Sequence, residues 1–99
     1  MIKINKENII SFLKANKSTL KDKFGVLSIG LIGSYARDEQ TEESDIDFIV
    51  DFDEISYSKL AGLAIYLETE FSIKVDIIRK RDNMRRSLLE RSKKEAIYA

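Results

Sequence analysis

The chain has 99 residues, enough for one domain spanning 1–99 and too few for two, and 43% of them are hydrophobic, as in an ordinary globular protein. It has no cysteine and no histidine, which excludes disulfides, thiolate nucleophiles and imidazole bases, and leaves any metal to oxygen ligands that favour a hard ion such as Mg²⁺. Its net charge is zero, yet residues 38–55 hold nine acids and no base, residues 1–24 hold six lysines against two acids, and residues 74–94 hold nine bases against three acids.

The opening residues, MIKINKENII, lack the apolar core of a signal peptide, and no apolar run reaches the length of a membrane span. The expectation is a cytoplasmic protein with no membrane partner. Residues 6–23 carry Ile9, Phe12, Leu13 and Leu20 at near-helical spacing, with Asn5 as N-cap, Gly25 as terminator and ANKS as a place to break. VLSIGLIG, Val26 to Gly33, is short, apolar and bounded by glycines, which predicts a buried strand. SYARDE then reads as a short helix entered through a Gly33-Ser34 turn. DIDFIVDF, Asp45 to Phe52, alternates with a period of two, so it is a strand with Ile46, Phe48 and Val50 on one face. Asp45, Asp47, Ile49 and Asp51 take the other. Residues 57–71 place Leu60, Leu63, Ala64, Leu67 and Phe71 on one helical face. IKVDIIR, Ile73 to Arg79, is a third strand with Asp76 at its centre. A basic helix from about Asn83 to Arg91 and an unassigned tail, KKEAIYA, close the chain. This order of helices and strands predicts an α/β (α+β) fold, a small sheet flanked by helices.

Asp45 and Asp47 point the same way from one strand, with Cα atoms roughly 6.5 Å apart. Two such carboxylates repel, and a divalent cation would neutralise them. Asp76 lies in an apolar strand, where a carboxylate is costly without a partner. If its strand neighbours the second, it joins the pair, and three converging carboxylates suit two metal ions about 3.5–4 Å apart. Gly33-Ser34 has the opposite character. Glycine admits close approach, a helix start offers backbone N–H groups, and serine adds a hydroxyl, so the turn would hold a triphosphate. Arg37, one turn on, is placed for the same phosphates or for a surface ion pair. Tyr35 either stacks on a base or, as more often, packs over the short helix. Glu39, Glu42 and Glu43 read as a solvated loop. Arg79, Lys80, Arg81, Arg85 and Arg86 read as a solvated basic face, with contact to an acidic partner or RNA as the other option, and direct nucleic-acid binding is not the expectation.

GSYARDEQTEESDIDFIVDF, followed by KVDIIR, resembles the minimal nucleotidyltransferases of the DNA polymerase β superfamily. The pattern is a Gly-Ser turn, ten residues, Asp-x-Asp on a strand, then a later aspartate, and the resemblance spans nearly the whole chain. It implies a mixed sheet flanked by helices, Mg²⁺ and a nucleoside triphosphate. By position it implies Gly33 and Ser34 on the triphosphate and Asp45, Asp47 and Asp76 on metal. Many such domains resemble antitoxins paired with a HEPN-type toxin. The resemblance therefore implies AMP transfer from ATP to a tyrosine of a cognate toxin, in a hetero-oligomer. The family usually has glycine after the arginine, whereas this chain has Asp38, which is less at ease at positive φ and brings a negative charge toward the phosphates. That departure keeps open an antitoxin acting by contact alone. A transferase for a small molecule or an RNA end is the third reading.

Overall fold

A computed structural model of the chain describes residues 4–54, 56–80 and 96–99. The first helical stretch is two helices, α1 (Lys6–Ala15) and α2 (Lys17–Phe24). Asn5 caps α1 as expected, its side chain accepting from the Asn8 N–H at 2.9 Å. The break falls at Asn16, inside ANKS. The Asn16 amide donates to the Phe12 carbonyl at 2.9 Å and accepts from the Tyr66 hydroxyl at 3.4 Å, so its side chain replaces helix continuation with two fixed contacts. Gly25 ends α2 in the left-handed region at φ 68°.

The strands are β1 (Val26–Ile32), β2 (Ile46–Phe52), β3 (Val75–Arg79) and β4 (Ile97–Tyr98), with the one-turn helix α3 (Gly33–Ala36) after β1 and α4 (Tyr57–Phe71) between β2 and β3. They form one mixed sheet in the order β3-β2-β1-β4. β1 runs antiparallel to β2 and β4, while β2 and β3 are parallel, with α4 as the crossover. The third strand starts at Val75 rather than Ile73, because Ser72 closes α4 at φ 55° and the chain needs residues 73–74 to turn back into the sheet. β4, in the tail left unassigned above, was not expected. The predicted basic helix 83–91 lies outside the described residues.

Alternation decides the core. Ile46, Phe48, Val50 and Phe52 of β2 meet Ile9, Leu13, Leu20, Leu63, Leu67 and Phe71 from the helices, and all are buried. Each such side chain contributes about 1.5–3 kcal/mol. The opposite face holds the aspartates, but it is not uniformly polar. Ile49 is fully buried there. It pairs across β1 with Gly30, and Gly30 pairs on its other side with Tyr98. A Cβ on Gly30 would stand 3.1 Å from the Tyr98 ring and 3.2 Å from Ile49 Cγ2, so the bare backbone is the seat that lets these two side chains close over the strand. Among the described residues no helix is long and apolar enough to cross a membrane.

Candidate active site

β1 delivers the chain to the Gly33-Ser34 turn, and β2 returns it beside the same point, with Ile32 paired to Asp47. Gly33 takes φ 75°, where an L side chain is strained, and a Cβ there would collide with the Asp47 carboxylate. Glycine is therefore required twice, for its backbone and for the approach of Asp47. The Gly33-Ser34 turn and the first acidic strand are in contact.

α3 is a single turn, with no side chain capping its start. Its dipole is correspondingly small, so any hold on an anion rests on the N–H groups of the turn and on the Ser34 hydroxyl. Its end is well defined. Glu39 N–H donates to the Ser34 carbonyl at 2.9 Å and Asp38 N–H to the Tyr35 carbonyl at 3.4 Å, a Schellman closure around a left-handed Asp38 at φ 57°. Asp38 thus adopts the conformation that explains a glycine at this position. Its carboxylate lies 3.3 Å from Lys6 Nζ at the start of α1, so the charge is paired. Asp38→Gly is expected to leave stability within about 1 kcal/mol, and Asp38→Ala to cost about 1 kcal/mol relative to glycine. Thermal melts of the two variants check this. An alanine variant as stable as the glycine one would contradict the backbone reading.

Parallel pairing puts Asp76 of β3 in register with Asp47 of β2. The Asp47 carboxyl is pushed above its ordinary value of 3.8, first by burial, then by the charges of Asp76 and Asp45, while Arg37 pulls it down. Asp45, Asp47, Asp76 and Arg37 therefore share one electrostatic neighbourhood. One expectation fails. Asp76 is exposed, not desolvated, because β3 is an edge strand and the central residue of its apolar run faces water. Its tie to the site is register and charge, not burial. No three carboxylates among the described residues are already drawn into a metal-ligating cluster. The donor set still fits a hard divalent ion: it is all oxygen, and Asp47 is raised by burial and then by its neighbours' negative charge.

The flanking residues divide. Arg37 is exposed and its Nε lies 3.1 Å from Glu39 Oε2, so Glu39 is paired rather than merely solvated. Tyr35 is buried at 5% exposure, and burial raises its hydroxyl pKa, so it packs rather than stacks on a base. Of the basic residues near the C-terminus, Arg79 lies over the Tyr57 ring at 5.6 Å and Lys80 over the Tyr98 ring at 5.2 Å. Arg81, Arg85 and Arg86 fall outside the described residues.

Comparison with known proteins assigns the class. The model of the nucleotidyltransferase domain family matches residues 13–99, and the chain belongs to that family. It is a nucleotidyltransferase, as the turn and the aspartate spacing implied. Among its relatives, protein adenylyltransferase MntA of Thermococcus cleftensis is 38% identical over 99% of each chain. A candidate protein adenylyltransferase of Methanocaldococcus jannaschii is 53% identical over 74% of this chain and 76% of its own. A solved candidate minimal nucleotidyltransferase superposes with TM-score 0.81 at 31% identity over 98% of each chain. A toxin–antitoxin crystal structure with AMP-PNP shares the fold at TM-score 0.69 and 24% identity, over 96% of this chain and 72% of that one.

Proposed function

We propose that the protein transfers AMP from ATP, with Mg²⁺, to a tyrosine hydroxyl of a partner protein of the HEPN toxin kind, and so acts as an antitoxin. The observation that carries the reading is the meeting of Gly33 with Asp47, itself in register with Asp76 and raised by burial and by the charges of Asp76 and Asp45. Relatives named protein adenylyltransferase support AMP as the group moved. The toxin–antitoxin of like fold, with its AMP-PNP, supports ATP and a toxin as the pair to test first.

In this scheme Gly33 and Ser34 hold the triphosphate, and Asp45, Asp47 and Asp76 hold Mg²⁺. When bound, the ion neutralises phosphate charge and polarises the α-phosphate. The tyrosine oxygen attacks the α-phosphorus, the new O–P bond forms, and the bond to the bridging oxygen breaks. Pyrophosphate departs, and the phenolic proton passes to the exposed Asp76 carboxylate. Arg37 offsets charge on the departing phosphates.

The contact-only reading drew its force from Asp38. Its left-handed backbone and its pairing with Lys6 remove most of that force. Transfer to a small molecule or an RNA end has no observation in its favour. Incubating the chain with ATP, Mg²⁺ and the HEPN-type toxin of its own genome should add one AMP mass to a toxin tyrosine. Unmodified toxin, under conditions where ATP binds, would refute protein AMP transfer. Full neutralisation of the toxin by an Asp45→Asn/Asp47→Asn double variant would establish contact as sufficient.

A further inference from the structure

A cleft of about 1170 Å³ opens at the end of the sheet where β2 and β3 begin, on the helix-covered side. Its walls are the start of α1, Tyr35 of α3, residues 40–42 and residues 70–73. Residues 40–42 lead into Asp45, and residues 70–73 lead into β3 and Asp76. The cleft thus borders the carboxylates in the chain, although none of the three lines it.

Its chemistry is specific. Ile4, Phe12, Tyr35, Phe71 and Ile73 give it an apolar surface, with the Phe12 and Phe71 rings edge to face at 5.1 Å. Among the described residues that line it, the charged ones are Glu42 and Glu70, and both are exposed. Gln40 also lines it, and the Gln40 Oε1 is buried without a hydrogen-bond partner among the described residues. A buried acceptor is costly until an N–H reaches it. Two glutamates repel a nucleotide's phosphates. An apolar surface, a buried acceptor and a negative rim together fit a polypeptide that brings apolar side chains, backbone N–H groups and a basic residue or two.

We propose that this cleft docks the segment of the acceptor protein flanking the modified tyrosine, and that this segment carries apolar side chains interspersed with lysine or arginine. The proposal rests on AMP transfer to a protein and deepens it. It assigns substrate choice to Glu42, Glu70 and Gln40, away from the reacting atoms.

The probe is the peptide acetyl-Leu-Lys-Tyr-Leu-Arg-Leu-amide, with a counterpart carrying glutamate for lysine and arginine. Each is titrated into the isotope-labelled full chain, and amide shifts are followed by NMR. The basic peptide should shift the amides of Asn8, Gln40 and Ser72, and the acidic one should bind at least about tenfold more weakly. The Glu42→Lys/Glu70→Lys variant should reverse that preference and still bind Mg²⁺·ATP as wild type does. Equal affinity for both peptides, no binding of either, or an unchanged preference in the variant overturns the proposal. So does a shift of the cleft amides by Mg²⁺·ATP in place of the peptide. Mg²⁺·ATP shifts at Ser34 and Asp47 are read in the same samples. Their absence would count against the transferase site while leaving the peptide result standing.

Discussion

Asp47→Asn is expected to abolish transfer while making the fold more stable. The carboxylate is proposed to ligate the metal, and loss of several kcal/mol of transition-state stabilisation corresponds to a drop of about a thousandfold or more. The stability gain has a separate cause. Asp47 is held above its ordinary 3.8 by burial and by Asp76 and Asp45, so its charged form is a burden in the folded state. Folding takes up a proton in the window between the unfolded and folded pKa values. Stability from protonated Asp47 is therefore fully present below 3.8 and is lost as pH rises through the folded value. At neutral pH the asparagine variant lacks that burden. After solvent screening of a half-exposed group the gain is about 1 kcal/mol or less. Urea melts of both proteins over a pH series check the sign. The stability of wild type relative to the variant should fall as pH climbs above 3.8 and then level off. Mg²⁺ should raise the melting temperature of wild type and not of the variant. Parallel pH curves would mean that Asp47 is not the strained group, and retained transfer would remove it from the reaction.

Gly33→Ala should damage both stability and turnover. A left-handed alanine costs about 1–2 kcal/mol, and its methyl group would occupy the space of the Asp47 carboxylate. Together the loss should reach about 2–3 kcal/mol. Turnover should fall about a hundredfold, because a displaced carboxylate misaligns the reacting groups. Introducing the same change into an Asp47→Ala background separates the two causes. There the carboxylate is gone and the backbone strain remains with a 3.3 Å approach to the Cβ of residue 47, so the stability cost should shrink without vanishing. An equal cost in both backgrounds would show that Gly33 and Asp47 do not interact.

Much of this site was legible before any fold was known. Alternation placed Asp47 on the face of β2 away from the helices, although the strand begins at Ile46 and leaves Asp45 just before it, and the glycine-bounded apolar run placed the turn at its end. Asn5 and Gly25 marked helix boundaries where the structure has them. What escaped depends on which strands become neighbours. Asp76 looked like a desolvated charge because a short apolar strand has the same composition at an edge as at a centre. Ile49 shares a face with three aspartates, and its burial follows from Gly30 and Tyr98 on two other strands. β4 is two residues long, too short for any period to register. The cleft joins residues from four separate parts of the chain, and no local pattern could assemble it. Asp38 is the instructive case. Its residue type signalled a departure, and only the pairing with Lys6 shows how the chain absorbs it.

The parallel register of Asp47 and Asp76 also bears on how the chain acquires its activity. β1 and β2 are joined by residues 33–45, which include α3. Asp76 reaches Asp47 only after the fifteen residues of α4 have crossed over and packed on the sheet. Closing that longer loop is the slower event. The third aspartate is therefore supplied by a longer-range contact than the one that sets the turn against Asp47, and any change that loosens the packing of α4 reaches the site through β3.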